Sequence, residues 1–153
     1  MSKAERRSMK GIEAEPGRIL AKELFLYFLD LEIKRSRRYQ NFLSILIWEL
    51  DALPDGDGGG DVLTCYQMLA NLLMDEMRET DILGSLGGNR LAALLPYADG
   101  LAGDHAKKRF ESILKCYDFK SNGHEIAIQR ICFPTDSADT SDVMKKVMWT
   151  RKS

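Results

Sequence analysis

Three cysteines, Cys65, Cys116 and Cys132, are all this chain of 153 residues carries. An odd number without metal-ligand spacing fits a reducing cytoplasm better than a disulfide framework. There are two histidines, His105 and His124. Neither is part of a nucleophile pattern, so neither is assigned catalysis. No stretch approaches the ~20 apolar residues of a membrane span. The opening residues Met1 to Lys10 lack the apolar core of a signal peptide, so no membrane partner is expected and the expected location is cytoplasmic. An excess of charge of either sign is missing too. The net charge of −1 gives no electrostatic case for nucleic acid as a partner.

What is present is an ordinary globular composition, 44% apolar and 29% charged, long enough for one domain with a real core. Residues 1 to about 16 are polar and end in Pro16–Gly17. The division expected is a leader or linker helix over 1–18 and a folded domain over 19–153. Local charge is uneven. Lys34-Arg35-Ser36-Arg37-Arg38 is a basic run, and Asp51 to Asp61 holds four aspartates.

From Ile19 to Tyr39 apolar residues recur at three and four, which predicts a helix with Leu20, Leu24, Tyr27, Phe28 and Leu31 facing inward. The basic run then sits at its C-terminal end, where cations suit the helix dipole. Leu43 to Leu50 is short, apolar and rich in β-formers, and reads as a buried central strand. Glu49 is out of place in it, because a buried carboxylate is costly unless paired, metal-bound or at the edge. Asp51, two residues on, shares its face. Asp55 to Asp61 superficially suggests a calcium loop, but its twelfth position, counted from Asp55, is Tyr66 rather than a glutamate. It reads as a polar turn with Asp61 as N-cap.

Val62 to Arg78 predicts a second helix, with Val62, Tyr66, Leu69, Leu72, Leu73 and Met77 inward. Asp81–Leu86 and Leu91–Leu95 flank Gly87-Gly88-Asn89-Arg90 and predict a β-hairpin tipped by Gly87–Gly88. A third helix is expected over Asp99 to Tyr117 with Leu101, Phe110, Ile113 and Leu114 as its apolar members. A strand follows over His124 to Phe133, and a short last helix over Asp142 to Trp149. Met68, Met74, Met77, Met144 and Met148 read as core filler. Helix and strand in this order give an α+β fold, a central mainly antiparallel sheet flanked by helices.

In order and spacing, several of these segments resemble the diguanylate cyclase (GGDEF) family in a degenerate form. They are Arg37-Arg38-Tyr39, the strand ending Trp48-Glu49-Leu50-Asp51, Gly60–Asp61, Arg78-Glu79-Thr80-Asp81, Gly87–Gly88, Leu94-Leu95-Pro96 and Cys132-Phe133-Pro134. The resemblance runs from about Ile19 to Trp149. It implies the palm-like fold of nucleotide cyclases, with an active site where the hairpin tip meets the end of the first long strand. In active members carboxylates at both places hold Mg²⁺ ions that bind GTP.

Here the strand position is Glu49, and the signature Gly-Gly-Asp/Glu-Glu-Phe reads Gly87-Gly88-Asn89-Arg90-Leu91. A guanidinium cannot coordinate a cation, so the expectation is that Arg90 takes the metal's place beside Glu49 or Asp51 and that no Mg²⁺ cofactor is held. The segment between Asp51 and Asp61 is shortened and loses the family asparagine that reads guanine, although Asp61 matches a second guanine contact. The final helix-strand segment, with a lysine for the phosphates, is abbreviated. Glu49, Asp51, Asp61, Gly87, Gly88, Asn89 and Arg90 are thus a vestigial active site, and no catalytic residue is assigned.

The resemblance also implies an inhibitory-type site for cyclic di-GMP. Its Arg-x-x-Asp pair matches Arg78 and Asp81, five residues before the paired glycines. The family's further arginine falls on Arg109, counting from Pro96. Ser85 stands where many members carry another arginine. The reading is a non-catalytic signalling domain that binds cyclic di-GMP through Arg78, Asp81 and Arg109, with a homodimer and a signalling protein as further partners. A ligand-independent interaction or dimerisation module is the alternative, and a weak cyclase the third reading.

Overall fold

The computed structural model describes residues 19–53, 62–120 and 123–149. The leader 1–18, the acidic loop with Asp61 and the four C-terminal residues lie outside them, so the readings made for those segments are not addressed by the fold.

The elements are β1 (Ile19–Leu20), α1 (Lys22–Tyr39), β2 (Leu43–Ala52), α2 (Val62–Glu76), β3 (Ile82–Gly87), β4 (Arg90–Pro96), α3 (Gly100–Leu114), β5 (His124–Phe133) and α4 (Thr140–Met148). The strands form one sheet in the order β1-β3-β4-β2-β5. All neighbours are antiparallel except the two-residue pairing of β1 with β3. This is the α+β architecture expected from the element order. Only β1 has no counterpart in the sequence reading, because two residues are too few to carry a period.

β2 lies centrally, and its residues from Leu43 to Asp51 are all buried. Strand alternation sends its side chains to two cores. Leu46, Trp48 and Leu50 pack with α2 and α3, together with Leu91, Ala93 and Phe110. Leu43, Ile45 and Ile47 pack with α1 and α4, together with Ala92, Leu94 and Phe133. Glu49 and Asp51 belong to the second face by register.

Helix α1 departs from expectation. It buries Phe25, Leu29, Ile33 and Ser36, while Leu24, Tyr27 and Leu31 are exposed. Both stripes have helical spacing, so periodicity alone could not choose between them. The choice is made by β3: Phe25 lies so close to Gly84 that a Cβ there would collide with its ring. Val62 and Leu101, also expected inside, are exposed near the first turns of α2 and α3; in α3 it is the face of Gly103 that meets the sheet, against Ser44 and Arg130. Of the other core members expected in α2, Tyr66, Leu69, Leu72 and Leu73 are buried, whereas Met77 lies just past the helix end and is half-buried.

Candidate functional site

The hairpin β3–β4 and the end of β2 meet as the expected site requires. Glu49 and Arg90 are direct cross-strand neighbours, and the Leu50 N–H donates to the Asn89 carbonyl at 2.9 Å. That bond ties the turn to the strand. Gly87 and Gly88 adopt φ of 87° and 58°, the left-handed region glycine enters without strain. Gly87 is the last residue of β3, so the tip itself is Gly88–Asn89, one residue later than expected. A bulge between Ser85 and Gly87 causes the offset, and the Ser85 hydroxyl accepts from the Gly87 N–H at 3.1 Å. Ser85 therefore serves the hairpin.

Arg90 is 7% exposed and Glu49 is 8% exposed. The guanidinium Nε lies 3.3 Å from Glu49 Oε1, a close ion contact whose geometry falls short of a hydrogen bond. Nη2 donates to the carbonyls of Val147 and Trp149, both at 2.8 Å. These carbonyls stand at the C-terminal end of α4, the negative end of its dipole. Burial lowers the Arg90 pKa and the Glu49 charge opposes that shift; an arginine stays a cation under such forces. Of the two carboxylates weighed for Arg90, it pairs with Glu49. Asp51 is buried on the same face, opposite Glu125 of β5. Among the described residues, no group of three His, Cys, Asp or Glu side chains has metal-site geometry.

The part played by α4 was not legible beforehand. Its contribution is two backbone carbonyls, and any residue type supplies a carbonyl.

The residues named for the second site also come from separate segments. Arg78, Asp81 and Arg109 line one surface cleft of about 250 Å³. A reciprocal turn fixes the first two: the Arg78 N–H donates to Asp81 Oδ2 at 3.0 Å, and the Asp81 N–H donates to the Arg78 carbonyl at 3.0 Å. Asp99 caps α3 by accepting from the Ala102 N–H at 2.8 Å, which sets His105 and Arg109 one turn apart on the wall facing that turn. The Arg109 guanidinium lies 5.0 Å from the Phe110 ring centroid. Burial raises the Asp81 pKa, against the lowering effects of the Arg78 N–H and the Arg78 and Arg109 charges. His105 lines the same cleft. In the sequence it stands apart from any nucleophile pattern, and its i, i+4 spacing to Arg109 is the one local signal that places the two on a common helix face.

No protein-family model matches the chain, and no curated protein matches it in sequence. Solved structures do. A DGC protein from Thermotoga maritima aligns at 15% identity over 85% of this chain and 93% of its own, with a TM-score of 0.72. The FimX GGDEF domain from Pseudomonas aeruginosa aligns at 18% identity over 84% of each chain, TM-score 0.69. The GGDEF domain of DgcB from Caulobacter crescentus, solved in complex with c-di-GMP, aligns at 9% identity over 84% of this chain and 78% of its own, TM-score 0.68. The chain has the GGDEF-domain fold.

Proposed function

From that fold, we propose that this chain is a non-catalytic GGDEF-like signalling domain that receives cyclic di-GMP in the cleft of Arg78, Asp81 and Arg109. The observation that carries the reading is the convergence of Arg78 and Asp81 with Arg109, from two separate segments, on one cleft. Arginine can donate two hydrogen bonds to the O6/N7 edge of guanine or stack on its face. A carboxylate accepts from guanine N1–H and the exocyclic amino group. Arg109 is then available to a phosphate, with His105 beside it. A cleft of about 250 Å³ suits one base with its sugar and phosphate lying outward. A domain of the same fold, that of DgcB, is solved with c-di-GMP bound.

The non-catalytic half of the proposal is supported by Arg90. Mg²⁺ needs anionic or neutral oxygen donors with room around them. The carboxylate best placed to supply one, Glu49, lies against a guanidinium that is itself held by two carbonyls. The described residues do not fit the ion.

Calorimetric titration of the full chain with cyclic di-GMP tests the reading. Binding that Arg78→Ala abolishes is the expected result; no heat with the wild type sinks it. Incubation with GTP and Mg²⁺ should yield no cyclic di-GMP, and measurable product would overturn the argument from Arg90. One observation favours a second reading, a ligand-independent interaction or dimerisation module. The Asp81 carboxylate already accepts from the Arg78 N–H, as a purely structural turn would. The same titration decides between them.

A further inference from the structure

The outer edge of β5 leaves backbone groups to be accounted for. The Cys132 N–H donates to Asp136 Oδ2 at 2.7 Å, and its carbonyl accepts from the Asp136 N–H at 2.7 Å. Both groups of Cys132 therefore face away from β2. In an antiparallel ladder this direction alternates, and the register of β5 on β2 runs without a shift from Phe133 to His124. His124 provides the check: its N–H donates outward to the Phe119 carbonyl at 3.0 Å.

Between these two capped ends, Ile126, Ile128 and Arg130 must aim their N–H and C=O groups at the outer edge. Among the described residues no backbone group meets them. Unpaired edge groups of this kind are a template for another strand.

We infer that this edge is a homodimer interface, in which β5 pairs antiparallel with β5 of a second copy about a twofold axis at Ile128. The argument for a second copy is self-complementarity. The open window is bounded by His124 and Cys132, and its centre is Ile128. Pairing Ile128 with its own mate sets Ile126 opposite Arg130 of the other copy, and every outward group in the window gains a partner.

The flanks agree. Grooves of about 600 Å³ border this edge, and two side chains of α3, Lys107 and Glu111, line one of them. A twofold normal to the sheet sets the two α3 helices antiparallel, so that Lys107 of each copy approaches Glu111 of the other. Trp149 lines the same groove and is 52% exposed, an apolar surface the second copy would cover. The inference stands apart from any ligand of the Arg78 cleft.

Sedimentation of the full chain over rising concentration should move from monomer to dimer mass. Trp149 fluorescence should shift to the blue in parallel, since Trp48 is already fully buried. Ile128→Cys in a Cys116→Ser background tests the register. In the proposed pairing the two Cα atoms stand about 5.5 Å apart, within disulfide range, so a copper–phenanthroline oxidant should link the copies. Gln129→Cys in the same background puts its two positions roughly 8 Å apart, beyond that range, and should link poorly. Ile128→Pro, which removes an outward N–H that β2 does not use, should sediment as a monomer. Should it melt far below the wild type, the cross-linking pair alone decides. Monomer mass at every concentration, or equal cross-linking at 128 and 129, overturns the proposal.

Discussion

At Arg90 one guanidinium meets a carboxylate oxygen and two carbonyl oxygens in a nearly dry setting. Each charge of such a pair is tolerated only because the other is present. Arg90→Ala should therefore destabilise the fold by about 3–5 kcal/mol, since it strands Glu49 and frees the end of α4. Replacing both partners, as Glu49→Leu with Arg90→Met, should cost less than the single change. Urea unfolding of the two variants against wild type measures the difference; equal losses would mean that the ion contact contributes nothing. Asp81 carries a different consequence. Its pKa is raised above 3.8 by burial, so the folded state holds that proton more tightly than the unfolded chain does. The stability contribution is then present at low pH and lost as pH rises through the folded pKa. Ligand binding has the opposite sign, because protonated Asp81 loses acceptor capacity. Affinity for cyclic di-GMP should fall on acidification at a higher pH than for an ordinary aspartate. Asp81→Asn should be weak at every pH, as calorimetry over a pH series would read.

The hairpin and α1 are interlocked as elements. Gly84 has no positive φ to justify it; its reason is the Phe25 side chain pressed on its Cα. Gly84→Ala should overpack this seam and lower stability by roughly 1–3 kcal/mol, visible as a lower melting temperature. Adding Phe25→Leu should recover part of the loss, and a neutral Gly84→Ala would show the seam to be loose. The same contact explains the misassigned face of α1. Phe25, Leu29 and Ile33 and the rival Leu24, Tyr27 and Leu31 are two apolar stripes on one helix, and only the side that finds a glycine in the sheet can approach it closely. α3 is anchored by Ser44, whose hydroxyl donates to the Ala98 carbonyl at 2.9 Å, and by Arg130, whose Nε lies 2.8 Å from Asp104 Oδ1. Neither link follows from spacing, because each joins residues that are neighbours only across the fold.

Across the whole molecule, the sequence alone determined the order of long elements, the central burial of Leu43–Leu50, and the hairpin before Pro96. Periodicity, turn chemistry and strand formers are local properties and can be read along a chain. It also determined that a cation stands where the resemblance calls for an anion. Tertiary structure decided what that cation touches: Glu49 across the ladder, and two carbonyls of a helix about sixty residues away. It decided as well that His105 and Arg109 line one cleft with Arg78 and Asp81, and that among the described residues β5 pairs along one edge only, with β2. These depend on register, helix docking and backbone direction, where non-local contacts choose among arrangements that local sequence leaves equal in energy.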